Sequence, residues 1–283
     1  MQTPFPWFFD ISPEQSDYAT AKSALFGIPY GGPGFEDCAQ APAAVFEASP
    51  QVESFDDELG WYSGESGIAT VGREELSRPL TSLDEAAQLI DRFLPQLLSD
   101  GKFPLMVGGS GAVVAPALAH HLERCPDLGV VRFDAMASVV SQLPASPVAA
   151  VGLRRVSEAE WGALQGREAL TTVWGGGWTP GDWLGEFRKA IAPLPRQVYV
   201  SVDVSALDPA LMPATPVAEP GGLSWQQLCR GLSELFAAHE VVGLDVTGLT
   251  PIAGLHSADF LVAKLLYRAI GLKYGASRKV LVD

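Results

Sequence analysis

The sequence is poor in the residues that most often hold metals or form covalent intermediates. It has four histidines and three cysteines in 283 residues. Cys38, Cys125 and Cys229 stand far apart, with no CxxC pair. That excludes a disulfide scaffold and points to reduced thiols and a cytoplasmic protein. Basic residues are few, 19 against 33 acidic, for a formal net charge of −14. With no basic run, a nucleic-acid partner and an anionic membrane surface are both excluded. No stretch approaches the ~18 apolar residues of a membrane span, and MQTPFPWFFDIS at the start does not read as a signal peptide. GxxxxGK[ST] and GxGxxG are missing, as is any Ser-His-Asp or Cys-His order suited to nucleophilic catalysis. Repeats, low-complexity segments and long linkers are also lacking, so a single domain over residues 1–283 is expected.

What is present is alternation. Short apolar runs at Ala24–Ile28, Pro104–Val107, Gly129–Phe133, Val148–Leu153, Leu170–Trp174, Val198–Val202 and Val241–Leu244 read as strands buried on both faces. Amphipathic segments separate them. From Leu83 to Leu98 the apolar residues repeat at helical spacing, and they do so again from Ala258 to Ala269. Ser82 with Glu85, Ser157 with Glu160, and Ser224 with Gln227 are spaced as capping boxes. Thr179-Pro180 reads as another helix start, Gly175–Gly177 as a tight turn, and Trp61-Tyr62 as a loop suited to an interface. The pattern predicts an α/β protein with a mostly parallel central sheet.

Three of the strand-like runs end in aspartate: VVRFD at Asp134, VYVSVD at Asp203 and VVGLD at Asp245. Open parallel sheets bind ligands beyond the carboxyl ends of their strands. One such aspartate is more often a loop or helix cap. Three at equivalent places mark a candidate site.

The segments around them carry a family resemblance. GGSGAVVAP (108–116) resembles the ureohydrolase segment GGDHS, RFDAMAS (132–138) resembles DAHxD, and SVDVSALDP (201–209) resembles SxDxDxxDP. PATPVAEPGGLSW resembles the family's loop ending in GGL, DVTGLTP (245–251) resembles DxxExNP, and VGLRR (151–155) resembles GIRG. GIPYGGPG and APAAVFEAS near the N-terminus fit the family's first strand and following helix. The blocks occur in family order and cover most of the chain. The resemblance, to arginases, agmatinases and formimidoylglutamases, implies a three-layer α/β/α fold, commonly assembled as trimers or hexamers. It also implies hydrolysis of guanidino or formimino compounds with two Mn²⁺ ions that lower the pKa of a bridging water.

Carried over residue by residue, the resemblance also implies a loss. Asp134 and Asp203 stand at the two metal-bridging aspartates. The family's two histidine ligands fall on Gly111 and Met136, and its other two aspartate ligands on Ser138 and Ser205. The glutamate that grips the guanidinium falls on Gly248. The stretch between Ser138 and Gly152 is shorter than the family's pocket-shaping loop. The expectation is a degenerate, metal-free site in a pseudoenzyme. It would act as a structural or regulatory subunit, in a homo-oligomer or with an active paralogue, or as a small-metabolite binder. Without a cation, Asp134 and Asp203 should repel, so one takes up a proton or both find donors. Backbone amides, Ser138, Ser205 or an arginine such as Arg154 are the expected partners. The alternative is a divergent Mn²⁺ amidino- or formimino-hydrolase using Asp134 and Asp203 with Asp245, Glu219 or His256. His256 otherwise reads as a surface or helix-capping residue.

Overall fold

The computed structural model describes residues 7–175 and 182–275. Along the chain run α1 (Pro13–Ser16), β1 (Ser23–Ile28), α2 (Ala41–Ala48), β2 (Phe55–Asp56), β3 (Trp61–Tyr62), β4 (Ile68–Val71), α3 (Leu83–Ser99), β5 (Phe103–Gly108), α4 (Val114–Arg124) and β6 (Gly129–Phe133). There follow α5 (Ser138–Gln142), β7 (Val148–Leu153), α6 (Glu158–Gln165), β8 (Leu170–Trp174), α7 (Trp183–Ile191), β9 (Gln197–Asp203), α8 (Trp225–Ala238), β10 (Glu240–Thr247) and α9 (Ser257–Gly275). By contact the chain divides into two compact units, Met1–Val113 with Pro251–Asp283, and Val114–Thr250.

In the first unit β4, β1 and β5 lie side by side, all parallel, with Ser23 of β1 level with Ile68 and Phe103. Every residue of β1 and β5 is buried, as strands covered on both faces must be. The helix α3 shows why its sequence folds as it does. Ala86, Leu89, Ile90, Phe93, Leu94 and Leu97 form its buried stripe and pack against β1 and β5. Burying each of the larger ones contributes about 1.5–3 kcal/mol. A short antiparallel ribbon joins β2 to β3, so Trp61-Tyr62 is strand where a loop was expected. The strand β4 is four residues long and only half-buried along its second half, too short to show a periodicity.

In the second unit the order is β10-β9-β6-β7-β8, again all parallel. The predicted bounds of β6, β7 and β8 coincide with the observed ones. The strand β10 runs past Leu244 to Thr247, so Asp245 lies within it rather than at its end. The capping boxes at Ser157/Glu160 and Ser224/Gln227 are complete. At Ser82 only half forms: Ser82 accepts from the Glu85 amide, while the Glu85 carboxylate accepts from Thr81. Thr179-Pro180 and most of the glycine run at 175–177 lie outside the described residues; α7 starts on Asp182, which accepts from the Gly185 amide.

Candidate functional site

Alternate residues of a strand share a face. The register of β6, β9 and β10 places Arg132, Ser201 and Asp245 side by side on one face. Two residues further on, Asp203 stands beside Thr247, and Asp134 follows the end of β6. The result is a polar patch at the carboxyl ends of three strands whose other residues are almost all apolar and buried. Arg132, Asp134, Ser201, Asp245 and Thr247 are themselves all buried.

The Arg132 guanidinium ties the patch together. Its Nε donates to Asp134 Oδ2 at 3.0 Å and its Nη2 to the same oxygen at 2.6 Å. Nη2 also lies 3.4 Å from Asp203 Oδ2. Nη1 donates to the Ser201 hydroxyl, which in turn donates to Asp245 Oδ1 at 2.7 Å. The carboxylates gather further donors from the chain. Asp134 Oδ1 accepts from the Met136 amide at 2.8 Å and the Ser205 hydroxyl at 3.3 Å. Asp203 accepts from the Ser205 amide at 3.0 Å and the Thr247 hydroxyl at 3.2 Å.

Three carboxylates face one guanidinium. Burial opposes the Arg132 charge, but Asp134, Asp203 and Asp245 outweigh it and hold the group above its ordinary value. Burial pushes Asp134 and Asp245 up to about 6; the neighbouring Asp203 adds repulsion at both, and Arg132 pulls each back. Asp245 is fully buried, with the Tyr199 hydroxyl beside its carboxylate. Behind the patch His121 packs on Tyr199, ring centroids 4.7 Å apart, and burial lowers its pKa to about 3. It is a neutral packing residue.

A model of the arginase family matches residues 21–142 and 136–271. The chain belongs to the arginase family. Among curated relatives, the N(1)-aminopropylagmatine ureohydrolase of Synechocystis is 26% identical over 94% of each chain. That of Thermus thermophilus is 28% identical, over 92% of this chain and 93% of its own. The agmatine ureohydrolase of Thermoplasma volcanium has the same fold, with a TM-score of 0.79 at 22% identity over 93% of this chain and 94% of its own. The formimidoylglutamase of Bacillus subtilis does so with a TM-score of 0.77 at 18% identity, over 91% and 89%. The predicted arginase-like α/β fold is therefore the observed one.

The positions that the resemblance marked can be placed one by one. Asp134 and Asp203 meet at Arg132, and Asp245 joins them through Ser201. Ser205 bonds to Asp134 as expected, but Ser138 does not, and the arginine is Arg132 rather than Arg154. Arg154 instead donates to the carbonyls of Ser205, Leu207 and Glu219, pinning the proline- and glycine-rich loop. Glu219 accepts from Arg154 through that carbonyl, and its carboxylate adds an electrostatic pull on the same guanidinium. Gly111 opens a 3-10 turn after β5. His256 is 76% exposed and sits 3.8 Å from Asp259 at the start of α9, a surface residue. Gly248 adopts φ +82°, and a Cβ there would lie 2.3 Å from Asp203 Oδ1. The space a glutamate side chain would leave through is filled by the Asp203 carboxylate. Met136 and Ser138, with Arg155, Val156, Ser157 and Glu160, line a cavity of about 390 Å³.

Arg132 was legible only as an anomaly, a charged residue inside the apolar run GVVRF. A charge buried within a strand must be paired, and the Arg-x-Asp, Ser-x-Asp and Asp-x-Thr spacings on neighbouring strands name its partners.

This donor set does not fit a pair of Mn²⁺ ions. Such ions want oxygen and imidazole ligands. At the positions that the resemblance marks, glycine offers none, a methionine thioether is a poor one, and the two serines offer only neutral hydroxyls. Among the described residues no group of three or more His, Cys, Asp or Glu is arranged to hold a metal ion. Asp134 and Asp203 already have the Arg132 guanidinium within 3.4 Å.

Proposed function

We propose that this member of the arginase family does not hydrolyse guanidino compounds by the two-metal route. It serves instead as a structural or regulatory subunit, or as a binder of a small metabolite in the cavity beside Met136. The observation that carries this reading is the engagement of Asp134 and Asp203 by donors of the chain itself: two amides, two hydroxyls and the Arg132 guanidinium. Lone pairs so engaged have no room for two further cations. Self-assembly into a trimer or hexamer, or assembly with an active paralogue, belongs to the same reading, and light scattering on the purified chain tests it.

A second reading is favoured by the names of the relatives. Proteins alike over more than nine-tenths of both chains are called ureohydrolases of N(1)-aminopropylagmatine. On that reading this chain is a divergent Mn²⁺-dependent amidino- or formimino-hydrolase built on Asp134, Asp203 and Asp245. One pair of measurements separates the two. Purified protein is incubated with excess Mn²⁺, desalted and analysed for metal, and then assayed for urea or ammonia release from a guanidino panel. Near-zero metal and no release keep the first reading. Tightly held Mn²⁺ with metal-dependent release replaces it by the second.

A further inference from the structure

We propose that Arg132 is a built-in cation: a guanidinium supplied by the chain holds together the carboxylates that metal ions hold in catalytic members of the family. The inference rests on the reading that the two-metal route is lost, and it gives that loss a physical cause. The group is on the site permanently. Arg132 is 1% exposed, the fourth of five residues in its strand, with Val131 and Phe133 buried on either side. Its fork matches the patch: two nitrogens on Asp134 Oδ2, one of them also facing Asp203, and the third on Ser201, which hands the contact on to Asp245. A guanidinium is charged at every physiological pH and presents its donors in a fixed plane. A lysine would offer one mobile point charge in its place. The surroundings have closed around this arrangement. The missing side chain at Gly248 is what lets the Asp203 carboxylate lie where it does, and Ser205, Thr247 and the amides of Met136 and Ser205 supply further donors to Asp134 and Asp203. A divalent ion would have to displace a tethered cation that loses no translational freedom on binding. The patch is therefore indifferent to metal supply and to chelators. Removing Arg132 should leave a vacancy shaped for a free guanidinium.

The test compares thermal unfolding of wild type, Arg132→Lys, Arg132→Ala and the double variant Arg132→Ala/Asp134→Asn. Each is measured with a chelator, with Mn²⁺, with millimolar methylguanidinium and with equal methylammonium. Wild type is expected to unfold at one temperature in all four. Arg132→Ala should melt roughly 10 °C lower, as when one partner of a buried charge pair is removed, and methylguanidinium, not methylammonium, should restore several degrees. Arg132→Lys should fall between the two. If Arg132→Ala does not fold, the double variant carries the test, because removing a carboxylate along with its counter-ion should recover a folded protein. The proposal is overturned by a wild type that gains Mn²⁺ and thermal stability together. It is equally overturned by an Arg132→Ala that melts like wild type, by rescue that methylammonium provides equally well, or by a double variant that melts no higher than Arg132→Ala. Urea release by wild type without added metal, with Arg132 behaving as described, would instead sink the non-hydrolytic reading and leave the built-in cation standing.

Discussion

Each unit of the molecule buries one arginine against carboxylates, and the two pairings differ in kind. In the first unit Arg268, on α9, donates through Nη1 to Asp56 at 3.3 Å and through Nη2 to Glu58. The Glu58 side chain is 64% exposed, so water shares its charge. In the second unit Arg132 faces three carboxylates, of which Asp134 and Asp245 are wholly enclosed. Arg268 is a tie between a helix and a surface ribbon. Arg132 is the only cation within a crowded anionic patch, among the described contacts. Breaking a buried pair costs much more than the pair is worth, since the charges left behind have neither partner nor water. How far each set of carboxylates can reach solvent therefore decides what each arginine is worth.

The largest effect should come from Arg132→Met. It leaves Asp134, Asp203 and Asp245 together without a cation, and we expect a loss of about 3–5 kcal/mol in denaturant unfolding. A loss under about 1 kcal/mol would mean that the carboxylates are already neutral or reach water, and the contrast between the two arginines would collapse.

The second effect is a pH dependence centred on the Arg132 patch, to which Asp259 of the first unit, also raised by burial, adds in the same sense. Asp134 and Asp245 titrate near 3.8 when unfolded and about 6 when folded. Between those values the folded chain holds more protons than the unfolded one. The stabilisation is therefore full below the unfolded value and is lost as pH rises through the folded one. Lowering the buffer from pH 7.5 to pH 5 should raise stability, on the order of 2 kcal/mol for two groups so shifted. Asp134→Asn should flatten the curve. Carboxylates held low by hydrogen bonds, such as Asp208 by the Ala210 amide and Glu234 by Arg188, act in the opposite sense and only at lower pH. A stability that falls steadily from pH 7.5 to pH 5 would contradict the raised values.

Arg268→Met comes third. Its removal leaves Asp56 buried but lets Glu58 return to water, so about 1–2 kcal/mol is expected. A cost equal to that of Arg132→Met would show that carboxylate exposure does not set the scale.

How much of this was legible in the sequence follows the same physics. In the second unit β6, β7 and β8 were readable to the residue, and β9 and the start of β10 to within one, because parallel strands covered on both faces are continuous apolar runs with polar ends. The motif order singled out Asp134 and Asp203, which the structure brings together at Arg132. What escaped were the features that depend on contact rather than on period. The ribbon β2–β3 has two residues per strand, too few for a pattern. Arg154 was one of the expected partners of the aspartates, yet its reach is taken up by loop carbonyls. Arg132 was passed over because it sits inside a strand, where a charge is easily read as an interruption. Only register reveals that it stands level with Ser201 and Asp245.

The smallest effect tests the edge of the candidate site. His256 was the one histidine that the alternative, metal-dependent reading could enlist. Its ring lies largely in solvent, and its nearest charged neighbour is Asp259 at 3.8 Å. An exposed pair of that kind contributes little, because water and salt screen it and two side chains must be held still. His256→Ala should therefore change unfolding stability by no more than about 0.5 kcal/mol, and should leave any Mn²⁺ retained by the protein unchanged. Loss of bound metal in this variant would move the site away from Arg132 and toward the hydrolase reading, because an exposed histidine that holds an ion must leave the position seen here to do so.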